Sequence, residues 1–182
     1  MNSPAVRLSP SRAIELWLAA ALIGAIAQLL LTPAVFGWQG MDLFPEVAGV
    51  SRSLYLTLWL ITGTLALLGF AWVLLRGPVG RMSAMDGAVI FFGMSSPLGI
   101  VAGLYMVALV SSWMNWRTTL IAVALGIVGA LSDVRLQAKT ALGPDVLLGA
   151  VVLLAGAVLI GLWWGRVRQA RTLPAVAVPE SV

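Results

Sequence analysis

The chain contains no cysteine and no histidine, and only 10% of its 182 residues are charged. Without cysteine it has no disulfide, no thiolate nucleophile and no iron–sulfur ligand. Without histidine it cannot form His-ligated haem, zinc, non-haem iron or blue-copper sites, nor Ser-His-Asp or Cys-His catalysis. We therefore expect no metal and no cofactor. The catalytic groups that remain are carboxylates, Arg, Lys, Tyr and hydroxyls.

The scarcity of charge also excludes an ordinary soluble domain, in which about 25% of residues are charged. Here 60% of residues are hydrophobic and the mean hydropathy is +1.01. The eleven basic residues are scattered beside apolar runs, which is typical of the flanks of membrane spans rather than of a nucleic-acid surface. We expect the lipid bilayer as a partner and no nucleic acid.

Five apolar segments predict an all-α fold, a polytopic transmembrane helix bundle of four or five spans in the cell membrane. The segments are residues 14–36, 54–75, 84–111, 117–134 and 145–165. The fourth is weak, because the 14 uncharged residues from Thr118 to Leu131 would extend only about 21 Å as a helix. We assign residues 1–171 to a single domain and 172–182 to a disordered tail.

The central segment, 84–111, is the most varied of the five. Ser83 and Asp86 resemble a capping box at its start. Pro97 interrupts its middle, so we predict a crossing helix kinked at Pro97. Ser95, Gly99 and Gly103 fall four residues apart and give one helical face little side-chain bulk.

The distribution of basic residues bears on the topology, because Lys and Arg favour the cytoplasmic side. Five crossings place six bases inside and five outside, and a fourth segment that does not cross gives seven and four. A central segment that is re-entrant gives eight and three. The rule thus prefers four crossings, yet a kinked helix is commoner than a re-entrant segment. We keep the kinked crossing helix as the expectation and leave the fourth segment open.

Three acidic residues are candidates for catalysis if the chain is an enzyme: Asp86, Glu46 and Glu15. Asp86 at the membrane edge could act as an acid or base, and the alternative is a helix cap. Glu15 lies three residues from Arg12, and a local ion pair along helix 1 at the headgroup level is the favoured explanation. Glu46 follows Pro45 in a loop, where an ordinary solvated acid is the favoured interpretation.

Four residues are candidates for substrate binding: Gln28, Ser95, Gly99 and Tyr105. Gln28 is an amide within a span and needs a partner, either a neighbouring helix or a ligand. Tyr105 is either an inward hydroxyl or an interfacial anchor. Four glycines are candidates for close helix packing, within the chain or in an oligomer: Gly99, Gly103, Gly161 and Gly165.

These features favour an accessory or structural membrane subunit, with a partner membrane protein or a homo-oligomer. The alternative is a small cofactor-independent intramembrane isomerase or cyclase that uses carboxylate acid–base chemistry on a lipophilic substrate. A small lipophile transporter is the third hypothesis. The sequence alone leaves open whether the chain is an enzyme.

Overall fold

The computed structural model describes residues 9–36, 52–77, 81–136 and 143–172. Within these ranges the chain forms helices and no strands, which confirms the all-α class. The six helices are α1 (Pro10–Phe36), α2 (Arg52–Arg76), α3 (Ala84–Met94), α4 (Ile100–Ser111), α5 (Trp116–Leu136) and α6 (Gly143–Thr172). The predicted loop that holds Glu46 and the predicted tail beyond Thr172 lie outside the described residues.

Three of the described helices are long and apolar enough to cross a membrane. The stretches that meet this requirement are Pro10–Leu30 in α1, Leu56–Arg76 in α2 and Leu148–Ala170 in α6. The apolar part of α5, Trp116–Ser132, is shorter, which agrees with the weakness of the fourth segment in the sequence. The length and composition of these helices support a membrane protein.

A single kinked central helix is not confirmed. The segment instead forms α3, with 11 residues, and α4, with 12 residues, on either side of the turn Ser95–Gly99. A Cβ atom built on Gly93 would lie 2.8 Å from Cα of Gly103. Ten residues of continuous helix would instead separate these two positions by about 15 Å. The chain therefore folds back on itself, and we call residues 84–111 the central hairpin.

The local cause of this break is the proline together with the polar residues around it. Pro97 has no N–H to donate and disfavours helical conformation in the residue before it. The Ser95 N–H still bonds to the Phe91 carbonyl, at 3.1 Å, and ends α3. The Gly99 N–H then bonds to the Ser96 carbonyl, at 3.1 Å, and forms a turn rather than another helical step.

Contacts with α2 establish the direction of α3. Asp86, near the start of α3, forms an ion pair with Arg76 at the end of α2. Ser96, just after α3, donates a hydrogen bond of 2.8 Å to the carbonyl of Trp59, in the first half of α2. Residue numbers thus rise along one helix as they fall along the other, and α3 is antiparallel to α2.

The second helix of the hairpin, α4, also packs along α2, but it runs in the direction opposite to α3. Gly99 lies against Ala66, with a built Cβ 2.9 Å from the Ala66 Cβ. Further along α4, the Tyr105 ring meets the Phe70 ring edge-on, with centroids 5.2 Å apart. The helix α4 is therefore parallel to α2, so α3 begins and α4 ends at the same end of the bundle.

The remaining helices pack around the hairpin. The Trp17 indole N–H donates to the Leu67 carbonyl at 2.9 Å, and Gly24 contacts the Leu98 carbonyl, so α1 is antiparallel to α2. Four contacts establish that α5 is parallel to α3 and α6 to α4: Gly87 with Leu125, Phe91 with Gly129, Ala108 with Gly161, and Ser112 with Gly165.

These directions bring six helix ends to one end of the bundle, where α1, α3 and α5 begin and α2, α4 and α6 end. We call it the arginine end, after Arg12, Arg76, Arg81, Arg117 and Arg166. The centre of the bundle is filled by apolar side chains of the hairpin. Ile90, Met106 and Val107 are each 0% exposed.

Candidate functional site

The start of α3 carries a buried carboxylate held by three groups. Ser83 and Asp86 form the predicted capping box, which is confirmed: the Ser83 hydroxyl accepts from the Asp86 N–H, and the Ser83 N–H donates to Asp86 Oδ2 at 2.7 Å. The Ser83 hydroxyl also donates to Oδ2, at 2.9 Å. The Arg76 guanidinium donates to both carboxylate oxygens, at 3.3 and 3.4 Å.

The surroundings of this cluster differ for its two charged members. Asp86 is 1% exposed, whereas Arg76 is 31% exposed and reaches in from the end of α2. A buried carboxylate loses its hydration and needs such compensation. The carboxylate therefore fastens α2 to α3 at the arginine end.

The tip of the hairpin is the second polar feature. The Ser95 hydroxyl bonds back to the Phe92 carbonyl at 3.0 Å, and Ser96 is 3% exposed and bonded to α2. Gly99 begins α4 and packs against Gly93 and Ala66. Helices α1 and α2 cover this turn, because Gly24 and Gly63 contact Leu98, and Ala66 contacts Gly99.

Of the two other candidates for substrate binding, Tyr105 belongs to the hairpin and Gln28 lies on α1. Tyr105 is half-buried on α4 and packs its ring against Phe70. Gln28 is 9% exposed and lies one turn beyond Gly24, the residue of α1 that contacts the tip. The structure thus places Ser95 and Gly99 at the tip of the hairpin. Gln28 lies on α1, one turn from the glycine that contacts this tip. Asp86 lies nine residues before Ser95, about 13 Å away along the helix.

The other two carboxylates do not join Asp86. Glu15 is exposed on α1, and among the described residues no ion pair links it to Arg12. Glu46 lies outside the described residues. In the ranges that the structure covers, no three carboxylates come together as a metal site would require. The catalytic roles assigned to these acids stay predictions.

The candidate packing glycines lie at contacts between helices of this chain. Gly99 and Gly103 face Gly93 across the hairpin, with built Cβ atoms 2.9 and 3.3 Å from its backbone. Gly161 contacts the Ala108 carbonyl of α4. A Cβ on Gly165 would lie 2.6 Å from the Ser112 carbonyl oxygen. Since the obstructing atoms belong to the backbone, larger residues would force the helices apart.

No protein-family model, curated protein or solved structure matches this chain. Any function must therefore be argued from the residues themselves.

The sequence did not reveal two features of this site. Arg76 is the partner of Asp86, although Arg81 is closer in sequence, because α2 ends beside the start of α3. The reversal at Ser95–Gly99 brings both ends of the central segment to the arginine end. Pro97 signals a break but does not distinguish a kink from a reversal. The sequence signal that favours the reversal is the distribution of basic residues, which is most uneven when the central segment is re-entrant.

Proposed function

We propose that the chain is a multi-pass protein of the cell membrane. In this proposal α1, α2, α5 and α6 cross the bilayer, while the central hairpin enters and leaves from the arginine end. The 21 residues of α5 extend about 31 Å, close to the hydrocarbon thickness of about 30 Å. Because its uncharged part, 118–131, extends only about 21 Å, this arrangement requires the charged side chains near both ends of α5 to reach the membrane surface. The 11 residues of α3 extend only about 16 Å.

The distribution of charge supports the same topology. The proposed topology assigns eight of the eleven basic residues to the side of the arginine end: Arg7, Arg12, Arg76, Arg81, Arg117, Arg166, Arg168 and Arg171. Three fall on the other side: Arg52, Arg135 and Lys139. Basic residues concentrate on the cytoplasmic side of membrane proteins. We therefore assign the arginine end, where α1 begins and α6 ends, to the cytoplasm.

For the role of the protein, we propose an accessory or structural subunit of a larger membrane assembly. The observation that carries this choice is Asp86, whose carboxylate is 1% exposed and bonded to Arg76 and Ser83. A general acid or base must reach its substrate. The bonding of Asp86 thus supports a structural role over the isomerase alternative. The centre of the bundle is filled by apolar side chains such as Ile90 and Met106. This packing favours the structural role over the transporter hypothesis.

Large apolar side chains on α1 and α6 are available for contact with a partner. Leu29 and Leu30 of α1 are 72% and 69% exposed, and Leu159 and Trp163 of α6 are 68% and 67% exposed. These faces meet either lipid or another protein. The partner is a second membrane protein or another copy of this chain.

Two measurements test the proposal. Because the chain has no cysteine, single cysteines at positions 81, 139 and 166 can be labelled in intact cells with an impermeant maleimide. We expect labelling at 139 alone, and labelling at 166 would contradict the four-crossing topology. For the accessory role, light scattering after mild detergent extraction should give a complex of fixed stoichiometry. A protein that elutes only as a monomer would contradict it.

A further inference from the structure

An open groove runs between α3 and α5, outside the buried core. Its volume is about 540 Å³ and its walls are apolar. Residues four apart form each wall, so each wall is one helical face: Ala88 and Phe92 with Gly87 and Phe91 on α3, and Ile121 with Leu125 on α5. Met82 and Ser83 line the groove at the arginine end.

Two arginines lie next to the lining residues at the arginine end of the groove. Arg81 directly precedes Met82, and Arg117 continues the face of Ile121 and Leu125 one turn earlier on α5. Both arginines are exposed, and neither forms an ion pair with any described carboxylate. The nearest acid along α3, Asp86, already forms an ion pair with Arg76. The groove is therefore apolar along its length and positively charged at one end.

The length of the groove along the bundle indicates what kind of molecule fits it. The groove follows α3, whose length of about 16 Å is roughly half of the hydrocarbon core. A partner helix that crosses the membrane would require a contact surface along the whole thickness. A lipid needs only one leaflet, with its acyl chain in the apolar part and its headgroup at the charged end.

We propose that this groove binds one anionic phospholipid from the cytoplasmic leaflet. The acyl chain lies along Phe91, Ile121 and Leu125, and the phosphate lies between Arg81 and Arg117. The assignment of the leaflet rests on the proposed topology. The cytoplasmic leaflet carries the anionic lipids that basic side chains attract, so lipid and protein charges are complementary there.

The test uses the full-length chain in nanodiscs that contain equal amounts of phosphatidylglycerol and phosphatidylcholine. Native mass spectrometry counts the lipids that remain bound after the disc is removed. We expect one retained lipid, with phosphatidylglycerol preferred at least about tenfold over phosphatidylcholine. Equal retention of the two lipids, or a retained peptide in place of a lipid, would overturn the proposal.

Matched variants separate the headgroup contact from the acyl-chain contact. Arg81→Gln with Arg117→Gln should abolish the preference, whereas Arg12→Gln with Arg168→Gln, at the same end of the bundle but outside the groove, should preserve it. Ala88→Phe fills the groove and should abolish the retention of either lipid, phosphatidylglycerol or phosphatidylcholine. Ala155→Phe, on an exposed face of α6, should release neither. A preference that survives the first pair would refute the proposal.

The arginine variants change exposed side chains, so they decide the question even if Ala88→Phe does not fold. Cysteine labelling distinguishes the two levels of the proposal. If position 81 is shielded from the outside and no lipid preference is found, the lipid site alone is wrong. If position 81 is labelled from the outside, the topology and the leaflet assignment are both wrong.

Discussion

Arg76 and Asp86 join the end of α2 to the start of α3, with the guanidinium 3.3 Å from a carboxylate that is 1% exposed. The same carboxylate caps α3 through Ser83. The Asp86 side chain thus orients the hairpin in two ways: it pairs with Arg76 at the end of α2, and it caps the start of α3. Because Arg76 is partly exposed, solvent screens the pair, and the hydrogen bonds from Ser83 carry much of the stabilisation.

Asp86→Asn should lower the stability of the protein by roughly 2 kcal/mol. The amide keeps one oxygen for the Ser83 N–H but removes the charge that compensates Arg76. Thermal unfolding in detergent, followed by tryptophan fluorescence, measures the loss. The double variant Arg76→Gln, Asp86→Asn should lose less than the sum of the single variants, because neither charge is then left alone.

Arg12→Gln provides the control for this comparison, since Arg12 is exposed and forms no ion pair with a described residue. It should change stability by less than about 0.5 kcal/mol. If Asp86→Asn were equally silent, the carboxylate would not fasten α2 to α3. Asp86 would then again be a candidate for acid–base chemistry.

Two glycines of α6 should respond in opposite ways to alanine. Gly161→Ala places a methyl group against the Ala108 carbonyl and 2.8 Å from the Ser111 Cβ, so it should cost about 1–3 kcal/mol. Gly156 has nothing within 4 Å of a built Cβ. Gly156→Ala should therefore leave stability unchanged or raise it by up to about 1 kcal/mol. Unfolding temperatures of the two variants, measured side by side, check the packing of α4 on α6.

Ser96→Ala should destabilise the hairpin tip by about 1 kcal/mol, because it removes the 2.8 Å hydrogen bond that links the tip to α2. The Trp59 carbonyl still accepts from the Thr62 hydroxyl, at 3.2 Å. Hydrogen exchange at the backbone of residues 95–99 should accelerate as well. Ser132→Ala is the matched control, since the Ser132 hydroxyl bonds only to Val128 in its own helix. Equal exchange at the tip in both variants would show that Ser96 does not fasten it.

The features that sequence alone could predict are local or compositional. Long uncharged runs predict the helices α1, α2 and α6, because hydrophobic length is what a bilayer selects. The spacing of Ser83 and Asp86 predicts the cap of α3, because a capping box involves residues only three apart.

The reversal at Pro97 was not predictable in this way. A kinked crossing helix and a hairpin have the same composition, and hydropathy does not distinguish them. The decision depends on shelter for the exposed backbone, which comes from Gly24 on α1 and from Gly63 and Ala66 on α2. These positions are distant in sequence from the hairpin tip. Arg76 and Asp86 are only ten residues apart, but their pairing depends on the end of α2 lying beside the start of α3.

A cross-link between α3 and α5 distinguishes the hairpin from a kinked crossing helix. In the hairpin, a built Cβ on Gly87 lies 3.2 Å from Leu125 Cδ1, because α5 is parallel to α3. In a single crossing helix followed by an antiparallel α5, position 87 would instead lie roughly 20 Å from position 125. Gly87→Cys with Leu125→Cys should therefore form a disulfide under mild oxidation in membranes.

Two features make this experiment direct. The chain has no cysteine of its own, so any cross-link reports the introduced pair. The atoms near Gly87 are the flexible ends of Leu125 and Met82, which yield to a small side chain more readily than backbone does. Gly87→Cys with Leu148→Cys, on an exposed face of α6, should remain reduced. Cross-linking of the control but not of the test pair would mean that the central segment crosses the membrane as a single helix.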